Sequence, residues 1–236
     1  MRAASPMLRG LDRRRAREGA LFAANSDFVR RRMERAWGVD ARVVFPPVDT
    51  RRITAVADWG TALDETESEL VAGLPETFVL GASRYVPYKR LDWVIRAAER
   101  AGVPAVIAGS GPEEPRLREL AEAARVPVQV LARPSDALLF TLYQRASVFV
   151  FPAIEDFGIM PVEARAAGAR VIVNGLGGAS EWLTEGVDGL CFREDRWESV
   201  AECIAAIDGV RRPQEAMSVD LSAEAAKYEP RPLVVT

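Results

Sequence analysis

Past residue 75 the chain repeats one pattern: a short run of consecutive apolar residues, a turn, then a longer stretch with apolar positions every three or four residues. The apolar runs fall at 78–82, 105–108, 128–131, 148–151, 170–173 and 190–192. The helical spacing predicts helices over 91–101, up to about Arg125, from Ser135 to Arg145, from Met160 to Gly168, briefly after Gly178, and from Asp195 to about Gly209. Ser135 and Asp195 have the side chains of N-caps, and Gly168 suits a helix end. Wholly apolar strands alternating with helices imply βαβ units around a parallel sheet covered on both faces. The expected fold class is therefore α/β, a doubly wound, Rossmann-like sheet, whose ligands bind at the carboxyl ends of the strands.

The first 75 residues depart from that pattern. A strand-like piece at 21–25 precedes a basic helix over 27–37, and a second strand at 42–45 runs into Pro46 and Pro47, which end it. Another helix is expected near 66–72. The segment is expected to make no sheet of its own and to be the end of another domain. Residues 1–48 are thus a remnant and crossover, 49–210 the Rossmann-like domain, and 211–236 a polar, proline-containing tail expected to be partly loose.

Composition removes several chemistries. There is no histidine, which excludes His-based nucleophile systems, His-liganded zinc and a His general base. Two cysteines, Cys191 and Cys203, are too few for a thiolate cage and are expected to be small buried residues. No metal site is expected. The first 52 residues carry 13 arginines against six acids, while the rest is net acidic. Without aromatics interleaved among Arg13–Arg15 and Arg30–Arg32, a solvated basic helix face is expected rather than nucleic-acid binding. Residues 1–19 lack the apolar stretch of a signal peptide and cysteine is sparse, so a cytoplasmic protein is expected. Segment 13–35 could touch an anionic membrane surface.

Three loops at strand ends carry candidate chemistry. The first, after 78–82, holds Arg84 and Lys89 across a proline-stiffened turn, where a guanidinium fork and an ammonium can meet a polyanion. A solvated basic turn is the ordinary reading of such a loop. The chain contains only two lysines, Lys89 and Lys227, and uses arginine for its other cations, so Lys89 points to a need for an ammonium. The second loop runs into a helix, with Glu155 in the turn, Phe157, Gly158 and Ile159 at the helix start, and Glu163 eight positions after Glu155. Free N–H groups at a helix start favour an anion or sugar hydroxyls, and a carboxylate one turn in can accept both hydroxyls of a ribose diol. The third contains Gly177 and Gly178, where a ligand could approach backbone closely or a tight turn could stand alone. Gly109 and Gly111 resemble the start of a dinucleotide fingerprint, but Glu114 occupies the third glycine's place and the loop follows the wrong strand.

Taken in order, ANSDFVRRRMERAWGVDARVVFPPVD, ASRYVPYKR, EDFGIMPVE and GLGGASE resemble the donor-binding half of GT-B glycosyltransferases, glycosyltransferase family four. The resemblance spans 22–207. It implies that Arg84 and Lys89 bind the donor diphosphate, that Glu155 lies near the donor sugar, and that Glu163 takes the ribose. Amides around Phe157, Gly158 and Ile159 would hold sugar hydroxyls, with Gly177 and Gly178 in the loop that follows. Arg133, after the third strand, stands where the family positions the base, although Ala132 replaces a more usual glycine. The implied reaction transfers a hexose from a nucleotide-diphosphate sugar to an acceptor hydroxyl, with retention and without a cofactor or bound metal, Arg84, Lys89 and Glu155 carrying the catalysis. The PYKR form resembles mannosyl-type members, which makes GDP-mannose the expected donor.

A GT-B enzyme closes two Rossmann-like domains around its acceptor, and this chain holds only the end of the first, up to Phe45. The donor-contacting histidine often found there is absent. The expectation is a fragment, a shortened product or half of a split enzyme, with a glycan or lipid-linked acceptor. An alternative is a nucleotide-sugar-binding module whose partner chain supplies the N-terminal domain. An epimerase leans on histidines, and a dehydrogenase lacks its glycine pattern.

Overall fold

The computed structural model describes residues 5–18 and 21–207. The expected loose tail with Lys227 and the helix end at Gly209 lie outside the described residues. In chain order, helix α1 (Ser5–Ala16) leads to strand β1 (Ala23–Ala24), helix α2 (Asp27–Trp37) and strand β2 (Arg42–Val43). Helices α3 (Thr50–Thr54) and α4 (Glu65–Ala72) connect to the main sheet. There β3 (Val79–Arg84), α5 (Leu91–Ala101), β4 (Ala105–Ser110), α6 (Glu114–Ala123), β5 (Val128–Ala132) and α7 (Asp136–Arg145) form its first half. Then β6 (Val148–Phe151), α8 (Ile159–Ala166), β7 (Val171–Asn174), β8 (Gly189–Phe192) and α9 (Trp197–Ala206) complete it.

All five pairings in the six-stranded sheet are parallel, in the order β5-β4-β3-β6-β7-β8. The expected doubly wound sheet is present. Successive side chains of one strand point to opposite faces, and both faces are buried here. Leu80, Phe149, Phe151, Val171 and Val173 join one core with α7, α8 and the connector residues Ile53 and Trp59. Val79, Val148, Val150 and Ile172 join the other with α5 and α9. Burying each such aliphatic side chain contributes about 1.5–3 kcal/mol, which explains why the strands are apolar throughout rather than alternating.

Local signals set the element ends. Ser135 accepts from the Leu138 amide at the start of α7, as its position predicts. Asp64 and Ser26 do the same for α4 and α2. Gly168, just past α8, adopts φ 95°, the left-handed conformation that ends helices cheaply only for glycine. Asp195, expected to cap the last helix, does not: the N-cap is Arg196, with no side-chain bond, and Asp195 is held by Arg90. Arg90 presents two cationic N–H donors to the carboxylate, against the single amide donor a cap would use.

The N-terminal segment also corrects an expectation. Strand 21–25 is not an orphan: β1 pairs in parallel with β2, Ala23 opposite Arg42 and Ala24 opposite Val43. The intervening helix α2 makes this a small βαβ unit, so the segment does form a two-stranded sheet. Helix α1 exposes Met7, Leu8 and Leu11 and is tied to α2 by Arg13 Nε, which donates to the Ala36 carbonyl at 2.7 Å. No helix among the described residues is long and apolar enough to cross a membrane.

Candidate active site

The chain lays β4 and β5 on one side of β3, then returns to place β6 on the other. In doubly wound sheets the loops leaving the strands on either side of such a reversal run in opposite directions and leave a crevice at the carboxyl ends. Both charged motif loops follow these two strands, β3 and β6.

Leaving β3, the chain makes a short turn at Pro87–Lys89 that Pro87 opens, and Arg90 at φ 55° redirects it into α5. The turn holds Lys89 inward, only 8% exposed. Its Nζ donates to Glu155 Oε1 at 2.5 Å and sits 5.1 Å from the Tyr88 ring and 5.3 Å from the Phe151 ring. A buried ammonium is thus held by one carboxylate and two π faces, an arrangement that offsets its lost hydration. An ammonium has three donors, and the bond to Glu155 uses one. Arg84, the last residue of β3, is exposed, and its Nη2 donates to the Tyr88 hydroxyl at 2.9 Å. The Arg90 guanidinium stacks 4.5 Å over Trp93 and forks onto Asp195, whose carboxyl it holds below the usual range. Asn174, fully buried, donates to the Pro152 carbonyl at 3.2 Å and contacts Asp195 as well. Arg90, Asp195 and Asn174 therefore brace both loops.

Beyond β6, Gly158 adopts φ 84° immediately before α8, and no side chain caps that helix. Phe157 is buried, its ring 5.6 Å from Phe45, and its carbonyl accepts from Trp182 Nε1 at 3.4 Å. Ile159 stays half-exposed at the crevice. Gly177 and Gly178 are approached by protein backbone: a Cβ at Gly178 would fall 1.9 Å from the Asp156 carbonyl oxygen, and one at Gly177 would fall 2.8 Å from that of Glu155. The Gly178 amide donates to the Glu155 carbonyl at 2.8 Å. These glycines let two loops touch and so fix where Glu155 points.

Glu163 lies on α8, half-buried, with its pKa raised by burial and further by Asp136, while Arg52 opposes the rise. Arg52 and Asp136 pair at 2.7 Å. Tyr143 packs in the core on the same side, its hydroxyl buried without a hydrogen-bond partner and its pKa raised by burial and by Glu163. Arg133 follows β5 at the sheet edge, exposed at φ 52°, its amide donating to the Gly109 carbonyl at 2.7 Å. Cys191 and Cys203 are half-buried, and burial pushes both thiols to about 11, which keeps them unreactive.

The structure brings together Lys89, Glu155, Gly177 and Gly178 around one loop, with Phe157, Gly158 and Ile159 following it into α8. Arg84 bonds to the Tyr88 hydroxyl on the same turn as Lys89, and Arg133 stands two strands from β3. The direct Lys89–Glu155 bond joins residues 66 apart, and nothing in their separate motifs signals it. The braces Arg90 and Asp195 were missed for the same reason, although an arginine beside the only lysine of the sheet domain marks the turn as a place to look.

A family model described as Glycosyl transferases group 1 matches residues 64–209. Among curated proteins, the chain is 30% identical over 206 residues to the GDP-mannose-dependent monoacylated alpha-(1-6)-phosphatidylinositol monomannoside mannosyltransferase of Corynebacterium glutamicum, covering 79% of this chain and 53% of that one. It is 32% identical over 179 residues to the D-inositol 3-phosphate glycosyltransferase of Mycobacteroides abscessus, covering 72% and 37%. Among solved structures, a glycosyltransferase from Rickettsia africae superposes with a TM-score of 0.67 at 19% identity, over 89% of this chain and 58% of that one. HepE of Anabaena, in complex with UDP and glucose, superposes at 0.64 with 22% identity, over 89% and 59%. The chain spans about half the length, or less, of the curated relatives it matches.

Proposed function

The chain belongs to the group 1 glycosyl transferases, and on that premise we propose that it binds a nucleotide-diphosphate sugar in the β3–β6 crevice and passes the glycosyl group to an acceptor hydroxyl with retention. The observation that carries the reading is Lys89: a buried ammonium at the sheet's reversal point, with donors to spare. The diphosphate lies against Lys89 and Arg84, the sugar against Glu155 and the amides at the start of α8, and the ribose diol on Glu163. Arg133 lies toward the base. In the transfer, the bond from the sugar C1 to the diphosphate oxygen breaks and its electron pair leaves with the diphosphate. The acceptor oxygen bonds to C1, and its proton goes to the departing phosphate. Fixed cations aimed at that developing charge are worth about 10²–10³ in rate each. No cofactor or metal is invoked, because the cationic pair answers the diphosphate.

Mannose from GDP-mannose is the proposed donor group, supported by the PYKR turn and by the named activity of the Corynebacterium relative. The acceptor is a glycan or lipid-linked alcohol. A lipid-linked acceptor would bring the basic segment 13–35 to an anionic membrane surface from the cytoplasmic side.

Calorimetric titration with GDP-mannose and UDP-glucose tests the reading. Lys89→Ala and Glu163→Ala should each weaken binding of the preferred donor by at least about tenfold, the size of a lost charge-assisted contact. If neither does, the assignment of the crevice is wrong. Binding without release of nucleoside diphosphate in the presence of acceptors would identify a donor-binding module that works with a partner chain.

A further inference from the structure

We infer that Glu181 is a positioning residue for the donor loop, acting through helix α2 without touching the donor; the inference rests on the donor-site reading above. Glu181 directly follows the short turn Gly178–Ser180, and its side chain is 16% exposed. Its two carboxylate oxygens reach across 154 and 153 residues of chain, Oε2 accepting from the Asp27 amide at 2.7 Å and Oε1 from the Phe28 amide at 2.5 Å. Ser26 Oγ accepts from the next amide, Val29, at 3.1 Å. Three of the amides that a helix start leaves without intrahelical partners are thereby satisfied, two of them by a full negative charge at the positive end of the helix dipole. Arg31 adds a cation 3.9 Å from Oε1. A carboxylate in this position cannot leave without exposing two N–H groups, so the joint between α2 and the glycine loop is stiff.

That joint leads to the site. Ser26 is fully buried, and its Cβ lies 3.0 Å from where a Gly178 side chain would begin. Gly178 in turn donates to the Glu155 carbonyl, and Gly177 packs on the backbone of the same residue. A second tie from α2, Arg32 to Asp156 at 2.9 Å, grips the neighbouring position. Phe45, beyond β2, rests on Phe157. Helix α2 thus bears on residues 155–157, and Glu155 is the residue that holds Lys89. Without the Glu181 carboxylate, α2 loses its anchor on the glycine loop, and Glu155 loses the backbone support that aims it.

The test compares Glu181→Ala and Glu181→Gln with the unaltered chain by hydrogen–deuterium exchange and by calorimetry. The amides of 154–158 and of 27–29 should both exchange faster in Glu181→Ala. The nucleotide sugar should bind about tenfold more weakly, and Glu181→Gln, which keeps one acceptor, about threefold more weakly. A free nucleoside, which lacks the donor sugar and both phosphates, should bind within about twofold of the unaltered affinity, since it reads only the Glu163 end. General destabilisation would instead weaken both ligands alike. Faster exchange confined to 27–29, with 154–158 unchanged, would reduce Glu181 to a helix cap and overturn the inference. Equal nucleotide-sugar affinity in all three proteins would do the same. If the unaltered chain binds no nucleotide sugar, the donor-site reading fails separately, and exchange at 154–158 still decides whether Glu181 orders that loop. Should Glu181→Ala not fold, Glu181→Gln and Arg32→Ala, which cuts the second tie at the surface, give the same comparison.

Discussion

A half-buried carboxylate proposed to hold a ligand has a cost that can be measured without the ligand, and Glu163 is such a group. Its pKa is raised by burial first and by Asp136 second. The folded protein therefore holds the Glu163 proton more tightly than the unfolded chain does. Stability from this group is present at acid pH and is lost as pH climbs past the usual carboxylate range to the raised value. Glu163→Gln should consequently raise the Tm at pH 7, with the gain closing as the pH falls below that range, while weakening nucleotide-sugar binding. A lower Tm for Glu163→Gln at pH 7 would show that the carboxylate is structural instead. Sequence position marked Arg84, Lys89 and Glu155 as candidates because they follow apolar strands, and Glu163 because it lies about one turn into the helix after the fourth strand. The contacts among them were not legible: burial of Lys89 against Tyr88 and Phe151, and its bond to Glu155, depend on a sheet order that no local pattern encodes.

At the scale of elements, the glycine loop and the Glu155 loop are one unit. The Gly178 position admits no side chain because the Asp156 carbonyl occupies the space a Cβ would need, and that carbonyl is backbone that cannot swing aside. Gly178→Ala should cost about 2–4 kcal/mol in urea denaturation, in the range of overpacked or strained sites. A cost below about 0.5 kcal/mol, typical of unconstrained surface positions, would mean the loops are not in contact. Strands buried on both faces were readable because burial leaves no polar positions in them, as in 148–151. β1 and β2 were misjudged because their pairing is two residues long and is flanked by exposed Leu21 and Val44, so burial leaves little pattern to read. Asp195 was misassigned because its partner, Arg90, lies 105 residues away.

Across the whole molecule, the arginine-rich first fifth keeps the solvated basic face that was expected: Arg13, Arg14, Arg15, Arg31 and Arg32 are exposed. Arg30, Arg31 and Arg32 also pair with Asp27, Glu34, Asp40, Glu181 and Asp156. Most of these pairs are exposed and individually worth about 0–1 kcal/mol; four are local to α2 and its C-terminal end, and only Arg31–Glu181 and Arg32–Asp156 tie the helix to the loops at 155–157 and 178–181. The α/β class and the doubly wound parallel sheet were legible from the alternation of apolar runs and helical spacing, and the sheet order confirms both. A crystal structure of the chain with a nucleoside diphosphate tests the central claim most directly. The account predicts phosphate oxygens within hydrogen-bond reach of Lys89 Nζ and the Arg84 guanidinium, about 2.7–3.2 Å, and the ribose diol on Glu163. A nucleotide bound elsewhere, or an unchanged Lys89–Glu155 pair with no phosphate against it, would contradict it.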